Sequence, residues 1–584
     1  TLQWGVQHLC ELLTGGDKDT KYLNRWMKTL NRQSKLAAAG EDFLAMERGA
    51  VWRAYRSELD GRLQSYALFV PKSWRPGRSL PLHVALHPSG FSPMLTLRIA
   101  MGHPISAGKR LSERRLPRFI SRGAIVVAPY GYRGTGSRYQ GKVDVLEVIS
   151  RVSARYGVNA RRVTLSGGSL GGLGSWHLGL RMPDKFNAII PMAGYGTVRM
   201  YGDVAGVKKK PWEPFLVARR DNTTFVENAR HLPMLCLHGD RDNPRRSEVI
   251  VNRYKKRGYR YQFDLLEDTG HNAWDDGYDN GYAFRFARKY RRPLMPKKVR
   301  FVSGSYRHRS AYWLQIDQFE QHNRLGRLKA RLKQQKAIIK TENIRRLRLK
   351  LEAPVNITID GQSFDASTYK AHWLRGADGL WKPTEDSAVS IHEKRPGLSG
   401  PIDDIRYEAH LFVYGTADPG QTEVNRRRAE HAARYWWNWA NIHMPVVADT
   451  AVDTKLLKEK HLVLFGNPKS NKVLASLAHA LPVKWEKNAV VMGNRRFEGK
   501  SVGVSFIYPN PKAPNKYILV HAGVTERGTW LSAWLPRWLP DFMVYDDAVS
   551  VQRGGRLMDK RKPLAAGYFD REWKIRDQVR PSGR

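Results

Sequence analysis

The 584-residue chain has only two cysteines, Cys10 and Cys236. Cys236 lies inside the apolar run Met234–Leu237, so a disulfide framework is absent and metal ligation by thiolates is unsupported. No H-E-x-x-H and no paired C-x-x-C occurs, and neither a metal nor a cofactor is expected. Also missing is any uninterrupted apolar run of about 18 residues, which excludes a helical membrane span. Acidic residues are scarce, with 54 Asp and Glu against 99 Lys and Arg, a formal net charge of +45. That imbalance implies attraction to a polyanion or an anionic surface. The charge is spread along the whole chain without a nucleic-acid module pattern, so a generally basic composition that solvates the surface is the simpler account. Apolar residues are plentiful: hydrophobic content is 41% with 18 Trp, enough for two to four folded domains. The chain begins at Thr1, which is compatible with removal of a signal peptide and hence a secreted or periplasmic location, but leaves location open.

What the chain does contain is centred on Arg162–Gly172. The apolar stretch through Leu165 runs into Gly167-Gly168-Ser169-Leu170-Gly171, a G-x-S-x-G pentapeptide, and a helical stretch follows from Leu173 to Arg181. Strand, tight turn and helix form the context in which this pentapeptide lifts a serine hydroxyl above a sheet. The turn strains the serine backbone, and the flanking glycines let strand and helix approach closely. It also aims the N–H of Leu170 at any oxyanion formed on a substrate.

A partner acid and base follow in order. The apolar run Pro233–Leu237 leads to His238-Gly239-Asp240-Arg241-Asp242, and the strand-like run Tyr261–Leu266 leads to Gly270-His271-Asn272. Ser169, Asp242 and His271 each fall just past the carboxyl end of a strand, in the Ser…Asp…His order of α/β-hydrolases. In that reading His271 takes the proton of Ser169 and Asp242 fixes the imidazole tautomer. Asp240 competes for the acid role, but its spacing suits a turn-former. His87, His177 and His238 read as structural.

These three segments resemble the α/β-hydrolase superfamily, specifically the esterase branch near the prolyl oligopeptidase family, with feruloyl and acetyl-xylan esterases and polyhydroxybutyrate depolymerases. The resemblance runs from Arg53 through Trp274. The region beyond about residue 295 is similar to C-terminal extensions of large bacterial members. By resemblance, His87-Pro88-Ser89-Gly90 occupies the place of a His-Gly-x-Gly loop, and Ser89 supplies the second oxyanion N–H beside that of Leu170. Pro88 departs from that pattern, because proline has a fixed φ and no N–H.

The expected fold class is α/β: an N-terminal helical segment (1–50), an α/β-hydrolase catalytic domain (51–295), a β-sandwich-like domain (297–375), a linker (376–404) and a small, parallel α/β domain (405–584). Tyr130 and Tyr132 follow a buried strand, and either could touch substrate. The long connection 197–231 is expected as a lid or pocket wall, with Trp212 and Phe215 as candidate substrate contacts. Trp274, three residues past His271, is a candidate for the pocket edge. Arg324–Lys333 alternates base with leucine; it reads as an edge strand guarded by charge and as the best single place for a polyanion.

The leading functional expectation is a serine carboxylic-ester hydrolase working through an acyl-enzyme on aryl, feruloyl- or acetyl-carbohydrate, or polyester-type esters. A serine peptidase of the prolyl oligopeptidase type is the alternative, opposed by the lack of propeller-like repeats. A polyanion-binding protein with secondary hydrolase activity is the third. The expected partner is a small-molecule or polymer-borne ester.

Overall fold

The computed structural model describes residues 1–104, 113, 116–205, 209–385, 388–549, 557–558 and 563–575. They fall into two compact units, one of Thr1–Leu180, Lys185–Gly196 and His231–Pro293, the other of Arg181–Asp184, Thr197–Arg230 and Leu294–Arg584.

The first unit opens with the helices Leu2–Thr14 and Thr20–Ala38. Asp19 caps the second by accepting the Tyr22 N–H, which satisfies one of the orphan donors of a helix start. An eight-stranded sheet follows, built from β1 (Gly49–Arg56), β2 (Leu63–Val70), β3 (Leu82–Leu86), β4 (Ile125–Pro129), β5 (Val163–Gly168), β6 (Ala188–Met192), β7 (Met234–Gly239) and β8 (Tyr261–Leu266). Its order is β1-β2-β4-β3-β5-β6-β7-β8. The alternating stretch from Trp52 makes the antiparallel β1–β2 ribbon, and every pairing from β4 to β8 is parallel. Each residue of β3 through β7 is buried. That is why these strands read as continuous apolar runs: a parallel sheet is covered by crossover helices on both faces. Each buried Val, Leu or Ile stabilises the sheet by about 1.5–3 kcal/mol. The parallel arrangement also brings the carboxyl ends of β5, β7 and β8 to one edge.

In the second unit, two five-stranded sheets share one core. Phe301, Leu328 and Ile339 come from one sheet, and Leu314, Ile316, Leu347 and Trp373 from the other. This is sandwich packing. The basic strand Gly326–Lys333 is not at an edge: it pairs with Lys336–Glu342 on one side and Lys298–Ser303 on the other. Its alternation places Leu328 and Ala330 inside and Lys329 and Arg331 outside.

The stretch 376–404, expected as a linker, is built into the unit. Trp381 joins the sandwich core in the strand Trp381–Thr384, and Lys394 is fully buried in an ion pair with Asp541. The last part of the chain forms a seven-stranded sheet that is mixed rather than parallel. His410–Tyr414, Val446–Ala448, His461–Phe465 and Ala513–Gly523 pair in parallel. Gly503–Asn510, Phe542–Tyr545 and Ala565–Gly567 add antiparallel neighbours. Only Pro511 and Lys512 separate Gly503–Asn510 from Ala513–Gly523, and so short a connection can join only antiparallel strands.

The described residues of 197–230 also pack within the second unit. Leu216 and Val217 of the helix Glu213–Arg220 share a cluster with Trp538 and Met558. The Asn228 amide exchanges two hydrogen bonds with the backbone of Val302, at 3.0 and 2.7 Å.

Candidate active site

β5 ends at Gly168, and the helix Leu170–Arg181 starts two residues later, so Ser169 makes the whole turn by itself. Its φ is +53°, a left-handed conformation that costs a non-glycine residue about 1–3 kcal/mol and persists only where surroundings impose it. They do so here: the Ser169 N–H donates to the Met192 carbonyl at 2.8 Å, and its own carbonyl accepts the Leu173 N–H at 3.0 Å. A Cβ on Gly171 would lie 2.1 Å from the carbonyl oxygen of Leu86 in β3, and one on Gly168 would lie 2.2 Å from the Trp274 ring. The glycines of the motif are therefore needed for close approach of helix to strand and of ring to turn.

β7 runs into a turn carrying Asp240 and Asp242, and β8 into the loop carrying His271. Nε2 of His271 is 2.9 Å from Oγ of Ser169, and Nδ1 of His271 is 2.7 Å from Oδ2 of Asp242. Three side chains spread over a hundred positions thus form one hydrogen-bonded line. Burial pushes the Asp242 carboxyl up, but its bonds to His271 and His238 outweigh that and hold it below the ordinary aspartate value. An ionised carboxylate can only accept, so Nδ1 of His271 carries the proton. Nε2 is left as the acceptor for the serine hydroxyl. Asp240 accepts the Thr269 N–H at 3.2 Å, the expected turn role.

His238 has a larger part than sequence reasoning assigned to it. It is fully buried at the end of β7, with Nε2 3.0 Å from Oδ2 of Asp242 and Nδ1 2.7 Å from Oγ of Ser247. Burial lowers its pKa, against the opposing pull of Asp242, and keeps the ring neutral. Nε2–H therefore donates to Asp242 while Nδ1 accepts from Ser247. Arg246 adds a contact at 3.3 Å to Oδ1 of Asp242 and stacks over Tyr195 at 4.1 Å. The signal available in the sequence was the four-residue spacing of His238 and Asp242 across a strand end, ordinarily a structural pattern.

Leu170 opens its helix, so its N–H is among the donors without an intrahelical acceptor. Ser89 stands at the exposed corner of the turn closed by the Phe91 N–H and the Pro88 carbonyl, 3.2 Å apart, with Gly90 at φ +81°. Trp274 is 8% exposed and meets His271 edge-on, centroids 5.5 Å apart. It is a packing support under the imidazole more than a free rim. Tyr130 is half-buried, while Tyr132 is buried with its hydroxyl 2.7 Å from Oγ of Ser57, a structural bond. Phe215 packs edge-on against Tyr568 at 5.7 Å, and the Trp212 carbonyl accepts the Tyr568 hydroxyl at 2.8 Å. These two aromatics are therefore engaged within the second unit. His87 is buried, with Nδ1 donating to the Pro88 carbonyl at 2.8 Å. Among the described residues no group of three or more His, Cys, Asp or Glu is placed to hold a metal ion, and no helix is long and apolar enough to cross a membrane.

A parallel sheet with a strained serine at a strand–helix turn, and with acid and imidazole on the following strand ends, defines an α/β-hydrolase with a serine hydrolase geometry. Residues 61–287 match the Esterase family model, described as a putative esterase, and this match supports an α/β-hydrolase esterase reading of that segment. The chain is 24% identical over 459 residues to an uncharacterized secreted protein of Arthroderma benhamiae, covering 70% of this chain and 47% of that one. It thus spans about half the length of the curated relative it matches. Among solved structures it is similar to a ferulic acid esterase, at 17% identity, 41% of this chain, 97% of that chain and a TM-score of 0.32. It is also similar to an S-formylglutathione hydrolase of Staphylococcus aureus, at 14% identity, 41% of this chain, 98% of that chain and a TM-score of 0.32.

Proposed function

We propose that the chain is a serine carboxylic-ester hydrolase with Ser169 as nucleophile, His271 as general base and acid, and Asp242 as the carboxylate that orients it. The observation that carries this reading is the unbroken line from Oγ of Ser169 through both nitrogens of His271 to Oδ2 of Asp242, at 2.9 and 2.7 Å. Ser169 attacks the ester carbonyl as its proton passes to Nε2 of His271. The N–H groups of Leu170 and Ser89 hold the tetrahedral oxyanion, each such donor contributing about 10²–10³ in rate. The intermediate collapses as His271 returns the proton to the leaving alkoxide, releasing the alcohol and leaving an acyl-serine. Water, activated by His271, then releases the acid and restores the hydroxyl. The imidazolium formed in each half is stabilised by Asp242.

Esters are favoured over amides because residues 61–287 match the Esterase family model. Aryl, feruloyl- or acetyl-carbohydrate and polyester-type esters are the substrate classes to examine. Comparing hydrolysis of a p-nitrophenyl ester with that of an aminoacyl p-nitroanilide separates esterase from peptidase. Ser169→Ala should lower ester turnover by about 10⁶ while leaving the thermal midpoint near that of the parent. Full activity in that variant overturns the assignment.

A second reading concerns the charge. The outer face of the sandwich carries Lys298, Arg300, Lys329, Arg331, Lys336 and Lys340, all exposed. Lys329 lies directly opposite both Lys340 and Arg300, and Arg331 opposite Lys298. Like charges in direct register destabilise a sheet. Their alignment on one face supports a surface that an anionic polymer neutralises.

A further inference from the structure

The second unit carries an open pocket of about 830 Å³ along the helix Pro419–Ala440, lined also by the strands His410–Tyr414 and His461–Phe465. Four arginines line it, Arg406, Arg428, Arg434 and Arg537, and no Asp or Glu is among the described residues lining it.

Arg428 is the telling member. It is 6% exposed, donates through Nε to Oγ of Ser532 at 2.7 Å and lies over the Phe465 ring at 5.1 Å. Among the described residues no carboxylate pairs with it, and burial draws its pKa down to about 10. Buried cations are ordinarily paired. This chain follows that rule elsewhere: Arg220 pairs with Asp403 and Lys394 with Asp541.

An independent observation comes from His410 on the same wall. Its Nδ1 donates to the Glu408 carbonyl at 2.9 Å, while its buried Nε2 has no hydrogen-bond partner among the described residues. Burial lowers its pKa to about 4, so the ring is neutral and Nε2 is a bare acceptor. The rest of the lining is aromatic. Arg406 stacks over Trp436 and Trp439 at 5.6 and 5.7 Å, and Arg537 over Tyr435 at 5.2 Å. Arg537, held by its face, leaves N–H groups for a carboxylate, and its buried Nε has no hydrogen-bond partner among the described residues. The lining also includes Trp530 and Trp534, apolar surfaces against which a planar ring can lie.

We propose that this pocket binds a small organic anion, a carboxylate borne on a planar ring that also carries a hydroxyl donor. The carboxylate neutralises Arg428 with help from Arg434 and Arg537, the hydroxyl donates to Nε2 of His410, and the ring lies against Trp530 and Trp534. The site is separate from Ser169, and its occupancy does not depend on the esterase reading.

The test uses the full chain as Ser169→Ala, with 6-hydroxy-2-naphthoate as probe, titrated by calorimetry and by quenching of tryptophan fluorescence. Saturable binding is expected. Affinity for 2-naphthol, which has the ring and hydroxyl without the carboxylate, should be at least about tenfold weaker. Arg428→Gln should weaken the probe by a similar factor. Because loss of a buried side chain can unfold the domain, Arg434→Gln/Arg537→Gln serves as the second variant and should also weaken it with an unchanged unfolding midpoint. Absence of binding at millimolar probe overturns the proposal. So does equal affinity for 2-naphthol, or parental affinity in folded variants lacking these charges.

Discussion

Nε2 of His238 stands 3.0 Å from Oδ2 of Asp242, the same oxygen that Nδ1 of His271 reaches at 2.7 Å. One lone-pair-rich oxygen thus receives two imidazole donors, while Arg246 approaches the other at 3.3 Å. The carboxylate is fixed in plane and orientation by a residue that never meets substrate. Removing a hydrogen bond to a charged group costs about 1.5–3 kcal/mol. His238→Ala should therefore lower kcat by about 10- to 100-fold with KM little changed, measured on a p-nitrophenyl ester. His238→Gln, whose side-chain amide can donate to Asp242, should recover part of the loss. A KM effect without a kcat effect, or no recovery by glutamine, would contradict a positioning role.

Much of this site is visible in the chain before folding. Ser169, Asp242 and His271 each lie one short turn beyond an apolar run, and a parallel sheet necessarily lines up such strand ends. What lies less open is whatever depends on partners distant in sequence. His238 reads as an ordinary core histidine because only the fold reveals that its Nε2 meets Asp242. Arg327, Lys329 and Arg331 read as guards of an exposed edge, yet the strand is flanked on both sides, and charge there reflects a solvated face of an interior strand. The polar stretch around Lys394 looks like a tether because a lysine gives no sign that an aspartate 147 positions later will bury it. Trp212 and Phe215 read as pocket aromatics because an irregular connection suggests a lid; their partner Tyr568 is far along the chain.

Several histidines are held neutral by burial, and this sets the response to acid. The pKa of His83 and that of His461 are lowered to about 3, and that of His410 to about 4. In the unfolded chain each would bind a proton near pH 6.5. Below that value the unfolded state binds more protons than the folded one, so stability falls with falling pH, until each folded pKa is reached. Over this window each group removes about 1.4 kcal/mol per pH unit. Asp144, raised to about 6 by burial, opposes the trend by favouring the folded state as it protonates. Three histidines outweigh it. The thermal midpoint is expected to drop steadily from pH 6.5 to pH 4, and His410→Gln should flatten the slope. A midpoint constant over that range would refute the account.

Lys394 and Asp541 form an ion pair that is almost completely excluded from water. Nζ of Lys394 also donates to the Phe569 carbonyl at 3.0 Å, and the Asp541 carboxylate accepts the Phe569 N–H at the same distance. The pair ties the 376–404 stretch to the residue preceding the strand Phe542–Tyr545. Lys394→Met leaves a carboxylate buried without its cation, a defect worth about 3–5 kcal/mol. The urea midpoint should fall accordingly. Replacing both partners, as Lys394→Met/Asp541→Asn, should restore part of the loss, because the uncompensated charge is then gone. A single variant as stable as the parent would show that the pair contributes no compensation.

The basic sandwich face makes a separate claim about partners. Lys329, Lys340 and Arg300 stand side by side across three strands, at spacings where like charges repel and an anionic chain laid across them would relieve the repulsion. Retention on immobilised heparin should fall steeply with salt, as counterion release requires. Lys329→Glu/Lys340→Glu should elute at markedly lower salt, and an equal charge change at Lys255 and Lys256 of the first unit should shift elution much less. All three proteins should keep the same ester hydrolysis rate, since none of these residues touches Ser169, Asp242 or His271. If the two double variants elute together, net charge alone governs retention and the aligned lysines have no special affinity.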